Sequence, residues 1–297
     1  MDPARRPAPD PDVGRLLVAC QDGPGIVAAI STFLHSRGAN IVQSDQDTTD
    51  PVGGRFFLRI VFRLPELPTW LDELREEFAR EVAEPLGMWF RMRSTAVPTR
   101  VAVFVSRVDH CLLDLLWRWR RGELPIDIVQ VISNHPDLQK EVAAFDVPYA
   151  HIPVPKDTKA EAESQQAALV EGRVDLVVLA RYMQVLSRGF LERIGVPAIN
   201  IHHSFLPAFA GAGPYQQART RGVKLVGATA HYVTEDLDEG PIIEQDVARI
   251  SHRESVADIA RRGADVERTV LARAVAWHCQ DRVLLDGHTT IVFQGDG

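Results

Sequence analysis

From residue 100 onward the chain alternates short apolar runs with amphipathic stretches, and this alternation constrains the fold more than any other feature. Apolar runs at 101–106, 126–133, 149–153, 176–180 and 198–202 have strand length and are rich in Val and Ile. Between them, 112–121, 138–145, 159–171 and 187–194 place apolar residues at helical spacing. Strands separated by helices need crossover connections, so the expected sheet is mostly parallel and covered on both faces, a doubly wound α/β arrangement. Two more strands at 224–233 and 241–250, a long helix at 256–280 and a last strand at 289–293 complete the region.

Residues 14–93 follow a different pattern. The run 15–20 reads as a strand, and Asp22-Gly23-Pro24-Gly25 as a turn. Ile26, Val27, Ile30, Phe33 and Leu34 then recur at helical spacing until Gly38. Strands at 39–47 and 55–62 are joined by a hairpin loop, Asp50-Pro51-Val52-Gly53-Gly54. An amphipathic helix at 67–82 presents Trp70, Leu71, Leu74, Phe78 and Val82, and a strand at 88–92 closes the unit. The order β-α-β-β-α-β is the ferredoxin-like arrangement. The expected organisation is a tail at 1–13, a first domain at 14–93, a linker at 94–99 and a second domain at 100–297.

A formal net charge of -7 disfavours sequence-independent nucleic-acid binding, which needs a basic surface. Cys20, Cys111 and Cys279 are far apart and odd in number, which fits a reducing compartment better than a disulfide framework or a structural zinc site. No run reaches the roughly 18 apolar residues of a membrane span, and the first residues lack the apolar stretch of a signal peptide. A cytoplasmic protein is expected.

Ligands of open parallel sheets collect at the carboxyl ends of the strands. The run 198–202 delivers Asn200 and His202 there, on one face of the strand because alternate residues share a face. An amide and an imidazole side by side can hold an oxyanion and move a proton. Further on, Glu235, Asp236, Asp238 and Glu239 crowd one segment before Gly240-Pro241. Such a segment is either a solvated surface loop or a loop that turns one carboxylate, Asp238, back toward His202. His203 and His231 have metal-ligand chemistry, but adjacent His202 and His203 point to opposite faces of a continuing strand, so no metal is expected. Cys111 beside His110 reads as a small buried hydrophobe rather than a nucleophile. Trp117 and Trp119 share a helix and read as core or subunit interface.

Asn200-Ile201-His202-His203-Ser204-Phe205-Leu206-Pro207, followed by Gly227-Ala228-Thr229-Ala230-His231-Tyr232-Val233 and Asp238-Glu239-Gly240-Pro241-Ile242-Ile243, resembles the folate-dependent formyltransferase family. The resemblance implies a catalytic trio of Asn200, His202 and Asp238. It implies a pterin pocket lined by Met183, Gln184, Val185 and Leu186, largely through backbone groups, with His231, Ser106, His110 and His135 as further substrate-binding residues. Asp22-Gly23-Pro24-Gly25-Ile26-Val27 resembles the first loop of an ACT regulatory domain. By that likeness Asp22, Gly23, Gly25, Ile26 and Asn40 would bind an amino-acid effector such as glycine or methionine at the interface of a homo-oligomer.

The two modules together imply hydrolysis of 10-formyltetrahydrofolate to tetrahydrofolate and formate, with formate supplied to purine synthesis. Folate is then the substrate, and no cofactor or metal is needed. An amine-accepting formyltransferase and a noncatalytic folate or amino-acid sensor are the alternatives. The loop Ser106-Arg107-Val108-Asp109-His110 contains an acid and no glycine, which disfavours a phosphate-bearing acceptor. One departure from the family pattern is Gly213, where relatives more often carry a larger polar or basic side chain.

Overall fold

The computed structural model describes residues 10–50, 52–207 and 213–294. The chain forms two compact units.

The first unit is built by β1 (Val13–Gln21), α1 (Ile26–Ser36), β2 (Asn40–Thr48), β3 (Arg55–Arg63), α2 (Leu67–Phe78) and β4 (Trp89–Ser94). Its antiparallel sheet runs β2-β3-β1-β4, the expected ferredoxin-like order. Leu16, Val18 and Cys20 of β1 face α1 and α2 and pack with Ile30, Phe33, Leu74 and Phe78. Leu17 and Ala19 face the other way. Both faces are buried, which explains why this strand is an unbroken apolar run. Where the sequence suggests one helix to residue 82, α2 ends at Phe78 and a π-helical turn, Ala79–Ala83, follows.

The second unit begins with β5 (Thr99–Val105), α3 (His110–Arg120), β6 (Ile126–Ser133), α4 (Gln139–Ala143), β7 (Tyr149–His151) and α5 (Lys159–Val170). It continues with β8 (Leu176–Leu179), α6 (Arg188–Ile194), β9 (Ala198–His202), α7 (Pro214–Arg221), β10 (Leu225–Tyr232), β11 (Ile242–Arg249) and α8 (Val256–Cys279). Seven strands run in the order β11-β10-β9-β8-β5-β6-β7. β5 to β9 pair in parallel, and β10 and β11 extend the edge antiparallel. Residues of α5 and α6, among them Val170, Phe190 and Ile194, cover one face through Ala102, Phe104, Val177 and Leu179. α3 and α8 pack against the sheet and each other. The helix α7 has no counterpart in the apolar pattern.

The chain ends with β12 (Val283–Asp286) and β13 (Thr289–Val292), which pair as a hairpin. The boundary expected at 100–297 differs from the packing here. Gln280–Asp286 and the described residues after 290 belong to the first unit. Leu284 and Phe293 bury the outer face of its sheet with Leu17, Ala19 and Phe57. Arg59 of β3, only 2% exposed, fixes this segment. Its Nε donates to the Asp281 carbonyl at 2.9 Å and its Nη2 to the Gln280 carbonyl at 3.2 Å. Asp281 also meets Arg15 at 3.5 Å and Arg91 at 3.0 Å. Burial, followed by the charges of Arg282 and Arg15, pulls the Arg59 guanidinium down to about 10.

Candidate active site

From β5 the second sheet grows through β6 to β7, then reverses to add β8 and β9 on the other side. The carboxyl ends of β5 and β8 therefore flank a topological switch point, where open α/β sheets bind ligands. Ser106 follows β5, and its N–H donates to the Arg181 carbonyl at 3.3 Å. Its hydroxyl contacts Asn134 Oδ1 at 2.7 Å and also the Tyr182 carbonyl. The segment after β8 is thus tied to the end of β5. Arg181 and Met183 are held there at φ of 63° and 57°, left-handed values that side chains other than glycine adopt at a cost.

β9 brings Asn200 and His202 to the same edge. β10 runs antiparallel beside it and sets His231 opposite Asn200 and Thr229 opposite His202. Thr229 Oγ1 donates to the Ser204 carbonyl at 2.8 Å and accepts from Leu206 N–H at 3.0 Å, which fixes the turn after His202. The strand ends at His202, so His203 does not continue the alternation, and the two imidazole rings lie 5.1 Å apart, tilted by 32°.

Asp238 lies between β10 and β11 with a φ of 58°. A β-carbon at Gly240 would overlap the Tyr232 carbonyl, so only glycine permits the tight return that carries Asp238 inward. Asp238 Oδ2 is 3.2 Å from His202 Nδ1, and Oδ1 is 3.6 Å from His231 Nε2. The adjoining imidazoles, His202 first and then His231, hold the Asp238 carboxyl far below the usual carboxylate range. His231 Nδ1 donates to the Tyr232 carbonyl at 2.9 Å. In the neutral tautomer this leaves Nε2 to accept from the Asn200 amide at 3.2 Å, which orients that amide. His202 Nε2 is buried with no hydrogen-bond partner among the described residues.

Gln184, Val185, Leu186, Asn200, His231 and Asp238 line one cleft. Five expected substrate-binding positions behave differently from one another. His231 is at the cleft. Met183 is 60% exposed and outside its lining. Ser106 holds the Arg181 and Tyr182 carbonyls and is outside the cleft lining. His135 sits beyond β6, its N–H on Ser133 Oγ and its carbonyl accepting from Tyr149. His110 Nε2 binds Glu267 at 2.8 Å. Gly213 has a φ of 67° just before α7 with open space beyond its α-carbon, and residues 208–212 of the same loop lie outside the described residues.

Glu267, 1% exposed on α8, is the centre of a cluster that the sequence reading missed. It takes His110, the Tyr215 hydroxyl and, at 3.5 Å, Arg181 Nη1. Burial pushes its carboxyl up, but the His110 hydrogen bond, the Arg181 charge and Tyr215 outweigh this and hold it below its ordinary value. Glu267 falls on the apolar stripe of α8 with Gly263, Val270, Leu271 and Ala274, and a lone acid on such a stripe was the available signal. Cys111, buried beside this cluster, has its thiol pushed well up by burial and then by Glu267, as an inert core thiol does.

In the first unit Asp22 accepts from Thr48 Oγ1 at 3.0 Å, Gly25 has a φ of 88°, and Ile26 is buried. Gly23 is exposed in the same turn. Asn40 begins β2 beyond the far end of α1, a helix of 11 residues and roughly 16 Å, so within one chain it stands apart from the other four expected effector residues.

Residues 99–275 match the family model described as formyl transferase, and residues 14–79 match the ACT domain model. Formyltetrahydrofolate deformylase of Mycobacterium tuberculosis is 62% identical over 282 residues, covering 95% of this chain and 91% of that protein. The enzyme of that name from Bacillus subtilis is 50% identical, covering 95% and 94%. A crystal structure of a formyltetrahydrofolate deformylase from Pseudomonas syringae pv. tomato superposes with a TM-score of 0.89 at 48% identity, covering 95% of this chain and 94% of that one. Matched by both models and by relatives along nearly its whole length, the chain belongs to the formyltetrahydrofolate deformylase family.

Proposed function

We propose that this chain hydrolyses 10-formyltetrahydrofolate to tetrahydrofolate and formate at the Asn200–His202–Asp238 site. The observation that carries the reading is the buried, unpartnered His202 Nε2 beside an oriented Asn200 amide, in a chain 62% identical to a formyltetrahydrofolate deformylase. A buried polar atom without a partner is costly unless a ligand completes it. The formyl oxygen is the ligand of matching chemistry. Asn200 Nδ2 and His202 Nε2 stabilise the oxyanion that develops there as water adds to the formyl carbon. Asp238 fixes the His202 ring and balances its positive charge. His202 then protonates N10 as it leaves. The pterin takes the cleft of Gln184, Val185 and Leu186. Neither cofactor nor metal enters this scheme.

The ACT domain supports an amino-acid effector, glycine or methionine, near Asp22, Gly23, Gly25 and Ile26 in a cytoplasmic homo-oligomer that supplies formate for purine synthesis. Calorimetric titration with each amino acid tests the effector, and no heat with either removes it. The main reading is tested by incubating the purified protein with 10-formyltetrahydrofolate without any amine acceptor. Stoichiometric formate is expected; tetrahydrofolate that forms only when an amine is added, with the formyl group recovered on that amine and no formate, makes the chain a transferase.

A further inference from the structure

Hydrolysis requires a group that accepts a proton from the attacking water, and the side chains around His202 differ in whether they are free to do so. Both oxygens of Asp238 face imidazoles. Both nitrogens of His231 are engaged, one by the Tyr232 carbonyl and one by Asn200. Glu267 is closed off by His110, Tyr215 and Arg181. His202 commits Nδ1 to Asp238. His203 is different. Among the described residues no hydrogen bond engages its ring nitrogens, and it is only partly buried, whereas His202 and His231 are 7% and 2% exposed. Its ring lies 5.1 Å from that of His202 and 6.2 Å from that of Tyr215, on the side of the half-buried His110, Arg181 and Tyr215.

We infer that His203 is the general base of the hydrolysis, taking a proton from a water held between it and the formyl group bound at His202. The inference rests on the hydrolytic reading of this site. In the step, the water oxygen bonds to the formyl carbon while one water proton passes to His203 and the carbonyl pair moves onto its oxygen. Collapse of the adduct breaks the C–N10 bond, and N10 takes a proton from His202. Formic acid departs and ionises. His203 returns its proton through solvent to His202, leaving a net yield of tetrahydrofolate, formate and one proton.

The surroundings keep His203 in the accepting form. Burial, then the charges of Arg181 from the loop after β8 and of His202 on β9, lower it to about 4. Glu267 on α8 and Asp238 act in the opposite sense without outweighing these. Tyr215 on α7 is uncharged at neutral pH, its hydroxyl pushed up by burial and then by Glu267.

The test compares His203→Gln and His203→Asn with the parent protein, following formate from 10-formyltetrahydrofolate between about pH 7 and 9. Loss of a general base lowers kcat at neutral pH by about 100-fold. Hydroxide needs no base, so the ratio of variant to parent rate should then climb by about tenfold per pH unit. A purely structural lesion lowers the rate by the same factor at every pH. A flat ratio, neutral-pH activity within threefold of the parent, or inactivity of both variants at every pH overturns the inference. A parent protein that releases no formate without an amine overturns the hydrolytic reading instead.

Discussion

The Tyr215 hydroxyl occupies the space that a β-carbon on residue 263 would fill, and Gly263 is what allows it to reach Glu267. A glycine inside α8 costs about 1 kcal/mol of helix propensity relative to alanine. Gly263→Ala recovers that amount but drives a methyl into the Tyr215 ring, and overpacking costs about 1–3 kcal/mol. The variant should be destabilised in denaturant unfolding. In a Tyr215→Ala background the sign should reverse and Gly263→Ala should stabilise. Destabilisation in both backgrounds removes the pairing as its cause.

Asp238 faces two imidazoles and loses its charge in Asp238→Asn. Single-turnover formate release should slow by about 100-fold or more. A rate near that of the parent shows that the carboxylate is not needed.

His231→Ala removes the acceptor that orients the Asn200 amide. The effect should fall mainly on kcat, about tenfold, because an oxyanion donor acts in the transition state. Steady-state kinetics reporting a raised KM with kcat intact points instead to a role in substrate contact alone.

Acid should destabilise the second unit through two groups. The folded Asp238 carboxyl is depressed, so its contribution is complete above its unfolded value of about 3.9 and is lost as pH falls below it. The folded His203 ring, at about 4, is likewise depressed. Its contribution is complete above the unfolded value of about 6.5 and fades as pH falls toward 4. Thermal midpoints measured from pH 7 to 4 should therefore decline less in His203→Gln than in the parent. Parallel declines contradict this assignment.

Arg59→Met leaves the Gln280 and Asp281 carbonyls without their donor. Breaking a buried charged contact of this kind costs about 3 kcal/mol. Limited trypsin digestion should cut after Arg282 much faster than in the parent. An unchanged cleavage rate shows that the apolar contacts of Leu284 and Phe293 hold the segment alone.

Much of the scaffold was legible because its strands are buried on both faces. Ile126–Ser133 and Ala198–His202 have the bounds that their apolar runs suggest. Asn200 and His202 were legible as a pair for the same reason, since strand alternation fixes their shared face. Asp238 was one acid among four, because its selection depends on a left-handed turn and on Gly240 meeting the Tyr232 carbonyl. The helix α7 escaped because its residues, largely Gln, Arg and Thr, carry no apolar stripe. The π-turn after α2 escaped because Leu74, Phe78 and Val82 keep a four-residue spacing across it. Nothing in the apolar residues Leu284 and Phe293 says which sheet they will cover.

That last contact has a consequence for biosynthesis. Residues 280–286 leave the ribosome after Thr99–Cys279 of the second unit, yet they complete the first. A nascent chain of a hundred residues lacks Leu284 and Phe293, the residues that pack on Leu17, Ala19 and Phe57 in the full chain. The ACT domain is the first to be translated and the last to be finished. A chain that stops short of Phe293 would present an apolar sheet face to chaperones and proteases, marking it for removal even if its catalytic unit had folded.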